Sequence, residues 1–397
     1  MISTRRSLLK AGLAGLLVPQ ASLAFAGDRQ NWWFEAWRCG FEAAVPARMR
    51  AANVIGAAVA ITSKDGATRY ASSFGFADLN QQRGLTANTP MHLASISKMV
   101  TAAALVQLFE RRGLDLHGDI NRFIDFPVRN PHHPDVPITP HHLITHTSSI
   151  WDDGYKDFST DGDPTQSLPD FLRDYLVEGG RHYSPKTSFH STRPGELWDY
   201  CNVAVALAGH VIESISGQSF PSYIKANIFD PLGITNAHWY LREFPPGVLA
   251  KPYEFRNGRF VELPQEGYPD VPAGMLRCSV SDLAKILRAI IAGGTGSRAI
   301  LSPRAAAAMR RPQVDAALVP YQGLGWVSEE INGRPFVGHS GGDSGASNMM
   351  VLTRDQRHAV MILMNIEGTD KTERFRASMI EDLLFGARLA GWGSLGG

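Results

Sequence analysis

The chain reads Ser95-Ile96-Ser97-Lys98 at the start of a long apolar run. Apolar residues recur in this run at helical spacing and Gly113 follows it, so the pattern predicts a helix over residues 95–112. Residues three apart on a helix share a face, with about 5–6 Å between their Cβ atoms. The amine of Lys98 can therefore reach the hydroxyl of Ser95, which places a proton acceptor beside a serine nucleophile. The pattern S-x-x-K is common by chance, so a catalytic interpretation depends on the rest of the chain.

Length and composition indicate a folded protein with a sizeable core. The chain has 397 residues, 44% of them hydrophobic and 19% charged, which suits one large domain or two closely packed ones. The 39 basic and 38 acidic residues give a net charge of +1 and are spread without long runs. No basic face therefore points to nucleic acid as a partner.

The three cysteines, Cys39, Cys201 and Cys278, do not make a disulfide framework in a chain of this length. An odd number leaves at least one thiol unpaired in the monomer, and the absence of a C-x-x-C pair argues against a structural zinc site of that kind. We expect all three to be small buried side chains. The sequence leaves open whether two of them form a single bridge.

The first 26 residues have the features of an export signal. Arg5 and Arg6 precede a short apolar run at 11–18, and Ala24-Phe25-Ala26 follows as a small-residue cleavage site. The run contains two glycines and stops at Pro19, so it is shorter than the roughly 18–20 residues that span a bilayer. We expect a twin-arginine-type signal over 1–26 and a periplasmic or secreted mature protein with no stable membrane span.

Strand patterns lie towards both ends of the chain. Apolar segments at 54–62 and 68–77 predict a hairpin joined through Lys64-Asp65-Gly66. The short connections between four later strands favour an antiparallel sheet. These strands are predicted at 323–329, 334–338, 346–352 and 358–365.

Helix patterns and proline-rich loops occupy the middle of the chain. Four helices are predicted after the one that starts at Ser95, at 202–216, 220–229, 279–292 and 372–389, and aromatic spacing between Trp32 and Phe41 predicts an amphipathic first helix. The order predicts an α/β fold of the α+β type, an antiparallel sheet flanked by helices and interrupted by a mostly helical lobe. We assign 27–125 and 271–397 to the sheet domain and 126–270 to the inserted lobe.

Two further polar motifs lie downstream of Ser95. Tyr200-Cys201-Asn202 leads into the predicted helix at 202–216, and Gly338-His339-Ser340-Gly341-Gly342 is expected to end a strand. Singly, each has a structural explanation: a buried tyrosine, an asparagine N-cap, a glycine turn. In this order, S-x-x-K, Y-x-N and H-x-G resemble the serine β-lactamase and penicillin-binding-protein superfamily, in particular its class C β-lactamase, D-alanyl-D-alanine carboxypeptidase and esterase-like branch.

The resemblance runs from about Val54 to the final helix and implies a β-lactamase/transpeptidase-like fold. Other stretches that are similar to the family's recurring segments are Leu143-Ile144-Thr145-His146-Thr147-Ser148-Ser149, Phe229-Asp230-Pro231-Leu232-Gly233-Ile234, Ala273-Gly274-Met275-Leu276 and Ser281-Asp282-Leu283-Ala284.

The resemblance also implies catalytic roles. Ser95 attacks a carbonyl carbon and forms an acyl-enzyme, while Lys98 and Tyr200 move the protons, and which of the two is the base stays open. The N–H groups of Ser95 and Gly342 form the oxyanion hole. No cofactor or metal is implied, and the substrate is a small molecule or peptide. The substrate-binding residues implied are Asn202, His339, Ser340, Gly341 and Gly342.

His339 is a departure that bears on the substrate. Many β-lactamases carry K-T-G where this chain has His339-Ser340-Gly341, and a histidine is mostly neutral at pH 7. A permanent cation for a substrate carboxylate is therefore missing there. H-x-G variants resemble the D-peptidases and esterases of the family, so the sequence predicts an exported serine hydrolase acting on an ester or a D-amino-acid-type amide.

Three alternatives compete with this interpretation. A family member can keep the fold as a catalytically weak penicillin-binding or scaffold protein. Gly338-His339-Ser340-Gly341-Gly342 also fits G-x-S-x-G, the nucleophile elbow of α/β-hydrolases, with Ser340 as nucleophile. A histidine-rich loop could suggest a metal site, but its spacing matches no metal motif and we expect polar loop residues, with His146 holding the loop near Tyr200 by a hydrogen bond. That group comprises His132, His133, Asp135, His141, His142 and His146.

Overall fold

The computed structural model describes residues 21–65, 68–155, 158–295 and 299–391. The predicted apolar run of the export signal lies outside these residues, as does Gly66 of the predicted hairpin turn. The signal, its cleavage site and the domain boundaries stay predictions.

Within the described residues the chain forms nine α-helices and thirteen strands. The helices are α1 (Ala21–Ala52), α2 (Ser97–Arg112), α3 (Pro140–Ile144), α4 (Leu168–Leu176), α5 (Asn202–Ser216), α6 (Phe220–Ile224), α7 (Val280–Ala292), α8 (Pro303–Met309) and α9 (Asp370–Gly391). The strands are β1 (Gly56–Ser63), β2 (Tyr70–Asp78), β3 (Arg83–Gly84), β4 (Met91–His92), β5 (Thr160–Asp161), β6 (Tyr253–Arg256), β7 (Arg259–Glu262), β8 (Glu266–Gly267), β9 (Arg277–Cys278), β10 (Val327–Ile331), β11 (Arg334–Asp343), β12 (Ala346–Leu352) and β13 (His358–Met364).

Seven strands form one antiparallel sheet in the order β10-β11-β12-β13-β1-β2-β3. The N-terminal hairpin therefore joins the C-terminal strands, and Val59 of β1 pairs with Ile362 of β13. Strands β1, β12 and β13 are buried at every position, because helices cover both faces of the sheet. This confirms the predicted fold class.

Alternate residues of β1 belong to two different hydrophobic cores. Ala57, Val59 and Ile61 pack in a core with residues of α1 and α9, whereas Ala58 and Ala60 pack in a larger core with α2, α5 and α7. Successive side chains of a strand point to opposite faces, so the sheet separates the two cores. The second core carries the helices that present the candidate site residues.

Helix ends follow the local signals in the sequence. Gly113 and Gly217 end α2 and α5 in the left-handed conformation, with φ of 63° and 69°. Ser279 is the N-cap of α7, and its side chain accepts a hydrogen bond from the N–H of Asp282. The C-terminal ends of these three helices agree with the prediction, but α2 begins at Ser97 rather than Ser95, because residues 94–96 form a 3₁₀ turn.

Three further predictions need correction. The strand predicted to end at Gly338 continues to Asp343, because residues 338–343 pair with β12 as far as the tight turn before Ala346. The strand predicted at 323–329 begins only at Val327, since Gly325 has a φ of 76° that interrupts extended backbone. Cys39 is exposed on α1 rather than buried, and no disulfide joins the three cysteines.

No helix in the described part of the chain combines the length and hydropathy that crossing a bilayer requires.

Candidate active site

Ser95 lies at the junction between the sheet and helix α2. It is the middle residue of a 3₁₀ turn, Ala94–Ile96, that leads directly into α2. Ala94 has a φ of 50°, a conformation that costs energy for a residue with a Cβ. The turn leaves Ser95 half-buried while its neighbours Ala94 and Ile96 are buried, so its hydroxyl faces the cavities described below.

Lys98 lies beneath Ser95 and is buried, with 2% of its surface exposed. Its Nζ donates a hydrogen bond to Ser95 Oγ at 3.0 Å and another to the carbonyl oxygen of Ala273 at 2.7 Å. The same atom is 4.9 Å from the ring centroid of Tyr200. The predicted approach of the Lys98 amine to the Ser95 hydroxyl is thus present, and Tyr200 adjoins both.

Tyr200 is held between two imidazole rings. It stacks on His146 with ring centroids 4.5 Å apart and meets His339 edge-on at 6.1 Å. Nδ1 of His146 accepts a hydrogen bond from the N–H of Cys201 at 3.2 Å. This confirms the expectation that His146 fixes the loop beside Tyr200. Burial and the nearby Lys98 charge lower the pKa of His146 well below its usual value.

Asp152, which none of the sequence motifs identified as a site residue, holds the Tyr200-Cys201-Asn202 loop. Its carboxylate accepts hydrogen bonds from the N–H groups of Asn202 and Val203 and from the thiol of Cys201. A carboxylate at a helix N-terminus satisfies donors that have no partner within the helix. Cys201 itself is the N-cap of α5, so the N-cap explanation for Asn202 is wrong. Asn202 lies one position further along and lines the cavity next to Ser95.

The residues His339 to Gly342 lie inside β11. A Cβ on Gly341 would come within 2.3 Å of the carbonyl oxygen of Leu93, one position before the 3₁₀ turn, so this glycine lets the strand approach the start of α2. A Cβ on Gly342 would meet nothing within 4 Å. The strand edge is therefore close to Ser95 at Gly341 and open at Gly342.

His339 is buried and electrically neutral near pH 7. Nδ1–H donates to the carbonyl oxygen of Ser340 at 2.6 Å, while Nε2 is buried without a hydrogen-bond partner. Burial, with the charge of Lys98, lowers the pKa of His339 to about 4. The position that carries a lysine in K-T-G sequences thus holds an uncharged ring.

Two cavities meet at Ser95, Tyr200 and Gly342. The first, called here the acidic cavity, has a volume of about 430 Å³. The second, called the aromatic cavity, has a volume of about 410 Å³. The acidic cavity is also lined by Ala94, Tyr155, Phe158, Ser159, Asn202, Glu266, Tyr268, Asp270, Ala273, Gly274 and Asp343. The aromatic cavity is also lined by Trp198, Val319, Tyr321, Val327, Ser328, Glu329, His339 and Ser340.

Carboxylates face both cavities. In the acidic cavity the Tyr155 hydroxyl donates to Asp270 at 2.6 Å, and burial raises the pKa of Asp270 to about 6. In the aromatic cavity Glu329 accepts a hydrogen bond from the N–H of Ser340. Among the described residues, no lysine or arginine lines either cavity. The charged side chains that line the two cavities in this part of the chain are therefore acidic.

Ser340 does not have the geometry of a nucleophile elbow. An elbow places its serine on a sharp turn between a strand and a helix, whereas Ser340 lies within the ten-residue strand β11 and pairs with Met349 of β12. The α/β-hydrolase alternative is therefore wrong.

The histidines of the proline-rich loop contact protein groups. Nε2 of His132 and of His133 lie 3.0 and 2.8 Å from the carbonyl oxygens of Pro185 and Ser191. His141 stacks on His117 with ring centroids 4.5 Å apart. The prediction of polar loop residues holds for His132 and His133, whereas His141 and His142 lie in helix α3, where His141 is buried.

A comparison with protein-family models shows the family of this sequence. The family model described as Beta-lactamase matches residues 41–384, which include all the candidate site residues. The chain belongs to the beta-lactamase family. The match spans both the N-terminal hairpin and the C-terminal strands, in agreement with their pairing in a single sheet.

Relatives within the beta-lactamase family include penicillin-binding proteins and an esterase. The chain is 28% identical to penicillin-binding protein 4* of Bacillus subtilis (strain 168) over 342 residues, covering 82% of this chain and 72% of that protein. It is 29% identical to esterase EstB of Burkholderia gladioli over 309 residues, covering 70% and 75%. The octameric penicillin-binding protein homologue of Pyrococcus abyssi has a similar structure, with a TM-score of 0.70, 26% identity, and coverage of 87% of this chain and 77% of that one.

Proposed function

We propose that the protein is an exported serine hydrolase that forms an acyl-enzyme on Ser95 from an ester or a D-amino-acid-type amide. The hydrogen bond of 3.0 Å between Lys98 Nζ and Ser95 Oγ, at the point where two cavities meet, is the observation that carries the proposal. Family membership supports serine hydrolase chemistry, because the relatives include a protein named as an esterase.

The reaction proceeds in two steps. Ser95 Oγ attacks the carbonyl carbon while its proton passes to the unprotonated amine of Lys98 or to the phenolate oxygen of Tyr200, and the carbonyl oxygen gains negative charge. The N–H groups of Ser95 and Gly342 donate hydrogen bonds to that oxygen. The tetrahedral intermediate collapses, the leaving group takes a proton through Tyr200, and a water molecule then hydrolyses the acyl-enzyme.

Binding of the substrate uses both cavities. Asn202 contacts the substrate from the acidic cavity, and His339 and Ser340 do so from the aromatic cavity. The neutral His339 ring provides no charge for a substrate carboxylate, so uncharged esters and amides are better substrates than β-lactams, whose carboxylate lacks a cation here. Export through the twin-arginine-type signal at 1–26 delivers the protein to the periplasm or the medium.

A substrate panel tests the proposal. Short-chain p-nitrophenyl esters, D-aminoacyl p-nitroanilides, D-Ala-D-Ala peptides and a chromogenic cephalosporin are compared with the wild-type protein and Ser95→Ala. We expect turnover of esters or D-aminoacyl amides that Ser95→Ala abolishes. A folded wild-type protein that turns over none of these substrates, and that a fluorophosphonate probe does not label, would instead be a scaffold or binding protein.

A further inference from the structure

We propose that Glu329 is a specificity-determining residue that selects against substrates with a carboxylate on the β11 side of Ser95. This inference rests on the proposed function, because it concerns which substrates reach the Ser95 hydroxyl. It goes beyond the absence of a cation at His339, since it assigns an active repulsion to a named side chain. The groups it admits in the aromatic cavity are neutral or cationic.

Glu329 lies in β10, where it pairs with Phe336 of β11, and its side chain extends past the end of this pairing. The pairing of β10 with β11 ends at Val327 and Gly338, and the side chain of Glu329 reaches along the edge to accept the N–H of Ser340. N–H groups two residues apart on a strand point to the same side. The N–H of Gly342, assigned above to the oxyanion hole, therefore lies on the same edge as the N–H that Glu329 occupies.

The position of Glu329 puts its charge near the reacting centre. Two residues of strand cover about 7 Å, so the carboxylate lies about that far from the Gly342 N–H. Glu329 lines the aromatic cavity together with Ser95, which brings the substrate group in that cavity within the range of its field. A substrate that used the Ser340 N–H as a hydrogen-bond donor would also have to displace Glu329.

Two cations near the site, Arg376 and Lys98, do not line the aromatic cavity. Burial raises the pKa of the Glu329 carboxyl, while the hydrogen bond from Ser340 and the charge of Arg376 in α9 act in the opposite direction. Arg376 itself donates to Ser347 and Asn348 of β12 and does not line the cavity. Lys98 is held by Ser95 and Ala273, at the base of the site. Within the described residues, the charged side chain that lines the aromatic cavity is therefore Glu329.

Coulomb's law gives the size of the effect. For a substrate carboxylate about 7 Å from the carboxylate of Glu329, the repulsion weakens substrate binding about threefold at the dielectric constant of water. At an effective dielectric constant of 20 it weakens binding about fiftyfold. The opposing charges of Arg376 and Lys98 reduce the repulsion, so we expect a value within this range. We expect a carboxylate to reduce kcat/KM by roughly tenfold relative to a neutral group of the same shape.

Three acetate esters with matched leaving groups test this directly. They are the acetates of 4-hydroxybenzoate, 4-hydroxybenzamide and 4-(trimethylammonio)phenol, which are anionic, neutral and cationic. Each kcat/KM, measured at pH 8 and low salt, is divided by the hydroxide-catalysed rate constant of the same ester to remove differences in intrinsic reactivity. The wild-type protein, Glu329→Gln and Glu330→Gln are compared. Glu330 is the matched control because it is the next residue of β10 and its side chain is exposed.

We expect the normalised kcat/KM of the neutral ester to exceed that of the anionic ester roughly tenfold in the wild type and in Glu330→Gln. In Glu329→Gln this ratio should fall to roughly one to two. Glutamine keeps an oxygen that can accept the Ser340 N–H, so the variant tests the charge rather than the hydrogen bond. A wild-type ratio near one, or a ratio that Glu329→Gln leaves unchanged, overturns the inference. Ser95→Ala with the neutral ester is the separate test of the proposed function, which fails if this variant keeps turnover. If Ser95→Ala loses turnover but Glu329→Gln has the same neutral-to-anionic ratio as the wild type, only the role of Glu329 fails.

Discussion

The carboxylate of Asp152 accepts the backbone N–H of Asn202, fifty positions further along the chain, and so joins the loop after α3 to the first turn of α5. The same carboxylate accepts the N–H of Val203 at 3.2 Å and the Cys201 thiol at 3.0 Å. Tyr200 precedes this turn directly, so the direction in which its ring enters the site depends on Asp152. A residue outside all three motifs therefore positions one of them.

Replacing Asp152 with alanine should lower both stability and activity. Hydrogen bonds to a charged group contribute about 1.5–3 kcal/mol each, and several donors are involved here, so we expect a loss of about 2–3 kcal/mol in the free energy of unfolding. Urea denaturation measures this loss. Asp153→Ala is the control, because that neighbouring side chain is exposed; equal losses in the two variants would contradict the assigned role.

Lys98→Met should slow acylation. Methionine has an unbranched side chain of similar length that suits this buried position, but it lacks the amine that contacts Ser95 Oγ. Loss of a general acid or base typically lowers the rate by about 10²–10⁴-fold. Stopped-flow measurement of the p-nitrophenol burst reports the acylation rate. Arg112→Met, at the exposed far end of the same helix, should acylate at the wild-type rate. A Lys98→Met burst as fast as that of Arg112→Met would remove Lys98 from proton transfer.

Gly341→Ala should push β11 away from the start of α2. The added Cβ would lie 2.3 Å from the carbonyl oxygen of Leu93, a backbone atom that cannot move independently of the turn holding Ser95. We expect at least roughly a tenfold fall in kcat/KM, since a misplacement of about 1 Å can cost about a hundredfold. Gly84→Ala is the control, because a Cβ there meets nothing within 4 Å. Wild-type kcat/KM in Gly341→Ala would show that this close approach is not needed.

His339 should make stability depend on pH below neutrality. Its pKa is about 4 in the folded protein and about 6.5 in an unfolded chain, so the unfolded state binds more protons between these values. The contribution to stability is complete above pH 6.5 and is lost as the pH falls towards 4. Asp270, whose pKa is raised to about 6, acts in the opposite direction over its own range.

The comparison of wild type with His339→Gln isolates the contribution of His339 to the pH dependence of stability, because the other titrating groups are common to both proteins. Between pH 7 and pH 5 we expect the free energy of unfolding to fall by about 2 kcal/mol more in the wild type than in the variant. Urea denaturation at the two pH values gives both differences. Equal differences in the two proteins would mean that His339 titrates alike in the folded and unfolded states.

Local signals in the sequence were sufficient for the elements that depend on neighbouring residues. The helix at 202–216 was predicted to the residue because an apolar run begins after a capping position and stops at Gly217. Ser95, Tyr200 and Gly342 line the same two cavities, and Lys98 contacts Ser95. The resemblance implied that these residues form one site, and their catalytic roles stay a proposal.

Contacts between distant segments could not be predicted in this way. The sequence Gly338-His339-Ser340-Gly341-Gly342 has the composition of a turn, but pairing with β12 keeps it extended. The roles of Asp152 and Glu329 depend on backbone N–H groups fifty and eleven positions away. Neither residue lies in a motif, so only the folded structure brings them to the site.

Direct identification of the acylated residue is the measurement that tests the central claim most directly. The wild-type protein, Ser95→Ala and Ser340→Ala are treated with a fluorophosphonate probe, and intact mass and peptide mapping then locate the adduct. We predict one adduct on Ser95 in the wild type, the same adduct in Ser340→Ala, and none in Ser95→Ala. An adduct on Ser340, or undiminished labelling and ester hydrolysis in folded Ser95→Ala, would contradict the assignment of Ser95 as the nucleophile.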